Sequence, residues 1–105
     1  MKRQKTPLLP SQVRLLHEVG ENLRLARLRR DLSAAQVAER AGIARLTLTK
    51  LEQGDGGSSL ANLLKVLFAL SLENDLQAVA KDDPMGRRLQ DLELGVQRRA
   101  SRKPA

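Results

Sequence analysis

The stretch Leu32–Gly54, LSAAQVAERAGIARLTLTKLEQG, decides the fold. Two short amphipathic segments flank Ala41-Gly42-Ile43, and the second runs up to a glycine. Ser33 is placed to N-cap the first segment, and Gln36, three residues on, is placed to reach back to it, the reciprocal pattern of a capping box. Val37, Ala38 and Ala41 share one helical face by three-and-four spacing. Gly42 follows the last apolar position, where a left-handed residue stops a helix and turns the chain. In the second segment Ile43, Leu48 and Leu51 form the inward side, which leaves Arg45, Leu46, Thr49 and Lys50 pointing outward together. A short helix held at a sharp angle with an Arg/Thr/Lys face is what the major groove of B-DNA admits. The pattern reads as a helix-turn-helix, although any αα-hairpin in a bundle also uses short turns and apolar faces.

The stretch and its continuation resemble the XRE (lambda-repressor-like) family. The matching positions are Leu32-Ser33, Val37-Ala38, Gly42-Ile43, Leu48, Leu51-Glu52, Gly54, Ser59-Leu60, Leu63-Leu64 and Leu70, so the resemblance covers Leu23 to Leu76. It implies an all-α, five-helix helix-turn-helix domain, here with an extended N-terminal helix and a basic C-terminal helix or tail. The chain departs from the family in three places. Ala34 stands where a phosphate-holding glutamine is usual, Leu46 stands at a commonly polar position, and Asp-Gly-Gly replaces a basic loop after Gly54. The family also pairs Glu52 with an arginine of the first helix, and Arg27 occupies the matching place. A guanidinium fork satisfies a carboxylate bidentately, which would fix the second helix of the motif against the first helix of the domain.

Composition bounds the rest. With 105 residues the chain has room for one small domain and tails, and its core must be aliphatic, because it holds one Phe and no Trp or Tyr. No cysteine is present, which excludes disulfides and thiolate metal sites and is compatible with a reducing cytoplasm; the family resemblance implies a bacterial cytoplasm, with nucleoid association through DNA binding. No apolar run approaches membrane-spanning length, and Met1-Lys2-Arg3-Gln4-Lys5 is not followed by a signal-peptide core. The net charge is +7, but its distribution is uneven. Residues 1–30 carry +6, residues 31–83 carry −3, and residues 84–105 carry +4. An acidic middle repels phosphate, so nucleic-acid contact is expected only at the recognition helix and its basic surroundings. Solubilised basic tails, an RNA or a membrane surface would suit the excess of cations as well.

Along the chain, residues 1–10 read as a flexible basic arm and 11–81 as the helix-turn-helix domain. Residues 82–105 read as a basic helix with a disordered end. Ser11 is expected to cap a helix running to Arg30, with Val13, Leu16, Leu23 and Ala26 inward and a weak point at Gly20, worth about 1 kcal/mol relative to Ala. Helices are then expected at 34–41, 44–53, 60–70 (capped by Ser59) and 73–81. Asp82-Asp83-Pro84 marks a boundary, beyond which Leu89, Leu92 and Val96 recur at helical spacing up to Arg99.

For base readout the candidates are Arg45, whose fork matches guanine O6 and N7, with Leu46 for a thymine methyl, Thr49 for a thymine methyl or a donated hydrogen bond, and Lys50 for a base or phosphate. For the backbone they are Ser33, Ala34, Gln36, Ala44 and Thr47, with Arg24, Arg29 and Arg30 of the first helix. Substitutions at Lys2 or Arg3 are expected to lower affinity uniformly across sequences. A single small module reads few base pairs, so a homodimer on an inverted-repeat operator in double-stranded DNA is expected. Leu25, Leu28, Val66, Phe68, Leu89 and Leu92 are the candidate dimer or partner surface, because Val66-Leu67-Phe68-Ala69-Leu70 is apolar all round and one small domain should not cover it. The alternative is that the terminal helices fold over these residues.

The XRE segment followed by an Asp-Pro hinge and an Arg-rich tail also resembles the small HipB-like antitoxins. That resemblance implies a transcriptional repressor that neutralises a HipA-like kinase toxin and represses their shared operon. A stand-alone repressor and a basic protein that bridges or binds RNA are the competing functions. No cofactor, metal or catalytic residue is expected. His17 is the sole histidine and lacks a nucleophile or carboxylate constellation, and Gly54-Asp55-Gly56-Gly57 lacks the Lys and Ser/Thr of a phosphate-binding loop.

Overall fold

Proline at the first helical position is pre-set for a helix start, and Pro10 takes that role in α1, Pro10–Arg29. The N-cap is Leu9 rather than Ser11, and its free N–H donates to the Oε1 of Gln12 at 2.9 Å. The structure is a computed structural model that describes residues 7–94, with side chains as far as Leu92. The elements after α1 are α2 (Ala34–Ala41), α3 (Arg45–Glu52), α4 (Leu60–Ala69), α5 (Glu73–Gln77) and α6 (Pro84–Leu89), which continues as a π-helical turn, Gln90–Leu94. No strand occurs among the described residues. What was expected of residues 1–6 and 95–105 lies outside them.

The domain is a small all-helical helix-turn-helix fold. Leu23 and Ala26 of α1, Val37 and Ala38 of α2, Leu48 and Leu51 of α3 and Val66, Leu67 and Leu70 of α4 and its C-cap make the buried core. Leu32, Ala41, Ile43, Leu63, Leu72 and Leu76 pack against it. The core is aliphatic throughout, as the composition requires.

Three details differ from the expectation. First, α1 runs unbroken through Gly20. That glycine is buried, and a Cβ there would sit 2.6 Å from the carbonyl oxygen of Glu52 and 2.7 Å from the amide nitrogen of Gly54. Its function is close backbone approach between α1 and the end of α3, which outweighs its low helix propensity. Second, the first half of α1 projects past the core, so Val13 is exposed and Leu16 only half-buried. Third, α5 stops at Gln77, with Ala80 in the left-handed region at φ 61° before α6 begins.

The surface expected on α4 also needs correction. Val66 is 1% exposed and belongs to the core, and Leu67 and Leu70 are buried with it. Three helices around one short helix suffice to cover that side, because α4 lies against α2, α3 and α5 at once. Phe68 alone of the apolar run is left out, 67% exposed, beside Leu64 and Leu60, which are exposed as well. The described part of the C-terminal segment does not fold over it.

Candidate nucleic-acid interface

Both ends of α2 are closed by its own sequence. Ser33 Oγ accepts from the Gln36 N–H at 3.1 Å, and Gln36 Oε1 accepts from the Ser33 N–H at 2.8 Å. Gly42 sits at φ 72° and its N–H donates to the Glu39 carbonyl, while the Ile43 N–H donates to Ala38. This is the Schellman arrangement, and it turns the chain directly into α3. Nothing lies within 4 Å of the place a Gly42 Cβ would take, so the glycine is needed for its backbone conformation and not for space.

The eight residues of α3 then split by face. Leu48 is 0% exposed and Leu51 is buried, whereas Arg45, Leu46, Thr49 and Lys50 are all exposed, Leu46 at 64%. Eight residues span about 12 Å, close to the width of a B-DNA major groove. Thr47 is half-buried at the edge of this face. The Thr49 hydroxyl donates to the Arg45 carbonyl at 3.1 Å, so its methyl is the part presented outward. Ala44 caps α3 without a side-chain hydrogen bond, leaving first-turn N–H groups for an anion at the positive end of the helix.

One ion pair orients this face. Arg27 Nε donates to Glu52 Oε2 at 2.8 Å and Nη2 to Oε1 at 2.9 Å, and Nη1 donates to the Leu32 carbonyl at 3.1 Å. A single guanidinium thus joins α1, the turn into α2 and the last turn of α3. Both side chains are largely shielded, and the hydrogen bonds donated to the Glu52 carboxylate raise the Arg27 pKa against the opposing effect of burial, with direct charge attraction adding to the rise. Arg27 therefore keeps its charge at any working pH. With Gly20 and Gly54 interlocked behind it, the pair fixes the angle of α3 relative to α1.

The remaining candidates are distributed as follows. Ser33, Gln36, Ala44, Arg24, Arg29 and Arg30 are exposed, and Ala34 is partly buried against the core. Arg24 pairs with Glu21 at 3.0 Å and Arg30 Nη1 donates to the Ala26 carbonyl at 3.0 Å. Gln36 has committed its carbonyl oxygen to Ser33, so its NH₂ group is what remains to donate outward. Leu25, Leu28, Phe68, Leu89 and Leu92 are exposed, in contrast to the buried Val66. Sequence reasoning passed over Leu60 and Leu64, since a helix that is apolar all round gives no facial signal. It also passed over Asp83 as a helix cap, having read it as a hinge.

Among the described residues no group of three or more His, Cys, Asp or Glu side chains is arranged to hold a metal ion. No helix among them is long and apolar enough to cross a membrane. No curated protein matches the chain in sequence. A family model described as a helix-turn-helix domain matches residues 18–78, more than half of the chain. That family is typically non-enzymatic. The chain belongs to this helix-turn-helix domain family, of the XRE/Cro-like kind, and its domain is that of a DNA-binding regulator.

Proposed function

We propose that the protein is a sequence-specific transcriptional repressor that lays α3 in the major groove of double-stranded DNA and binds an inverted repeat as a homodimer. The observation that carries this is the division of α3 into a fully buried Leu48/Leu51 side and an exposed Arg45/Leu46/Thr49/Lys50 side, held in place by Arg27–Glu52. Arg45 reads a guanine through its two-pronged guanidinium, Leu46 and the Thr49 methyl meet thymine methyls, and Lys50 adds a base or phosphate contact. The N–H groups at Ala34 and Ala44, the Ser33 hydroxyl, the NH₂ of Gln36, Thr47 and the α1 cations Arg24, Arg29 and Arg30 position the domain on the backbone. In this reading the domain spans 11–81, with basic flanks at 1–10 and 82–105 that add sequence-independent attraction.

Footprinting on the DNA upstream of the protein's own gene tests this. Protection of two half-sites one or more helical turns apart is the expected result, with half-site centres about 34–36 Å apart or a multiple of that. Equal binding to unrelated duplexes and to RNA would overturn it in favour of a general nucleic-acid binder.

A second reading is favoured by Phe68, which stands exposed next to Leu64 on the helix that closes the core. An aromatic residue in an exposed apolar patch is the kind of anchor a protein partner uses. On this reading the repressor is the antitoxin of a HipA-like kinase toxin, in a bacterial cytoplasm, and represses the operon that encodes both. Affinity purification from the native host decides between the two: a copurifying kinase-like protein favours the antitoxin, and its absence leaves the stand-alone repressor.

A further inference from the structure

Among the described residues two apolar surfaces have no partner, and they are opposite in charge. The first is a groove between α1, α4 and α5. It consists of two adjoining hollows, of about 230 Å³ and about 310 Å³, which share Val19, Leu23 and Leu63 as lining. Leu60 and Val79 stand exposed along its lip. The ionisable side chains lining it are Asp55 and Asp75, both acidic, and no cation lines it among the described residues.

The second surface is on α6 and its π-helical continuation. Met85 and Leu89, four apart, share one side of α6, Leu92 follows in the π-helical turn, and the three are exposed at 64%, 44% and 72%. Arg88 is three residues from Met85 and four from Leu92, which sets a positive charge beside that stripe. Arg87 and Arg88 lie in α6 and Asp91 follows only in the π-helical turn, so the Met85/Leu89 part of the arm is basic where the groove is acidic.

The groove of the same chain is not where α6 goes. Asp83 Oδ1 accepts from the Gly86 N–H at 3.0 Å, Arg87 Nη2 donates to the Lys81 carbonyl at 3.3 Å, and Arg87 Nη1 lies 3.8 Å from Asp82 Oδ1. These local contacts hold α6 on a course that leaves its stripe in solvent, although Val79, just upstream, already lines the groove. We propose that α6 of one copy docks in the α1–α4–α5 groove of a second copy, and reciprocally, with Arg88 meeting Asp75. A mutual exchange of this kind is isologous and closes at two subunits. It rests on the homodimer proposed above and names its interface.

Because the chain has no cysteine, cross-linking can be read without background. Full-length chains carrying only Leu89→Cys or only Val79→Cys are mixed and mildly oxidised, with Lys65→Cys as the control partner. The expected product is a disulfide between the two different chains, in large excess over that formed with Lys65→Cys. Sedimentation equilibrium without DNA should give a dimer for the wild type. For Leu89→Asp combined with Leu92→Asp it should give half that mass, with the helical circular-dichroism signal of the folded domain retained. An intrachain disulfide in the doubly substituted chain, a cross-link no better than the control, a monomeric wild type, or a dimer that survives the paired aspartates would each overturn the exchange. So would an Arg88→Glu variant that loses DNA affinity while sedimenting as before, since the arm would then belong to the nucleic acid. Arg45→Ala leaves arm and groove intact, so loss of its DNA reading with the dimer retained separates a failure of the DNA proposal from a failure of this one.

Discussion

The helix-turn-helix and the C-terminal arm are built on different principles. In α2 and α3 every local device agrees with the tertiary packing: a capping box, a left-handed glycine, a fully buried leucine and an ion pair to α1. In α5 and α6 the helices span five and six residues and no residue is fully buried: α5 keeps only Leu76 against the core, and α6 rests on backbone turns and one aspartate cap. Short isolated helices are marginal in water, so such an arm gains its order from what it docks against, whereas the motif is ordered by its own domain. The lesson is a division of labour in one small chain. A reading head is held at a fixed angle, and an arm is left available for assembly.

The sharpest attempt to break that contrast is at Glu52. Replacing it with Ala strands the Arg27 guanidinium in a shielded site, and we expect a loss of about 3–5 kcal/mol in urea unfolding, the range for breaking a buried pair from one side. A loss below about 1 kcal/mol would place the pair among ordinary surface ion pairs and remove the reason α3 is rigid. Gly20→Ala comes next. The added methyl has backbone atoms on its far side, at 2.6 Å and 2.7 Å, so helices must separate, and overpacking of this kind costs about 1–3 kcal/mol. An alanine there that stabilised the fold, as propensity alone predicts, would refute the close approach.

Arg45→Ala should act on recognition and leave stability untouched. Binding isotherms on operator and mismatched duplexes are expected to show about 1–3 kcal/mol less discrimination at one base pair, with the melting temperature unchanged. Gly42→Ala is a smaller, purely conformational test. Space is open around it, so only the positive φ resists a side chain, at about 1–2 kcal/mol by thermal unfolding. The smallest effect belongs to the arm: at concentrations where the chain is monomeric, Leu92→Asp should stay within about ±0.5 kcal/mol of wild type in fold stability, as a substitution exposed in the free subunit does. A larger loss would mean the arm is part of the domain after all, and the contrast would collapse.

Much of the motif was legible from residues because its signals are local. Ser33 with Gln36, Gly42 after Ala41 and the spacing of Leu48 and Leu51 each constrain a few neighbouring atoms, and the structure places them accordingly. Arg27–Glu52 spans 25 positions and came from family likeness, since nothing in spacing alone pairs two residues so far apart. Val66 was misjudged for a related reason: a run that is apolar on every side does not say which side the other helices will cover. Gly20 looked like a weakness because propensity counts only its own helix, while its value lies in the neighbouring backbone.

By itself, then, the amino-acid order determined an aliphatic all-helical domain, the caps and turn of α2–α3, and the cationic character of the flanks and of the exposed α3 face. These depend on side-chain chemistry and on contacts within a turn or two of the chain. Only the tertiary structure decided that Val66 is interior and Phe68 is not, that α1 passes unbroken over α3 at Gly20, and that α6 leaves its stripe in solvent while an acid-edged groove stays open. Each of those outcomes is set by which surfaces distant segments cover, and burial of that kind is a property of the packed whole.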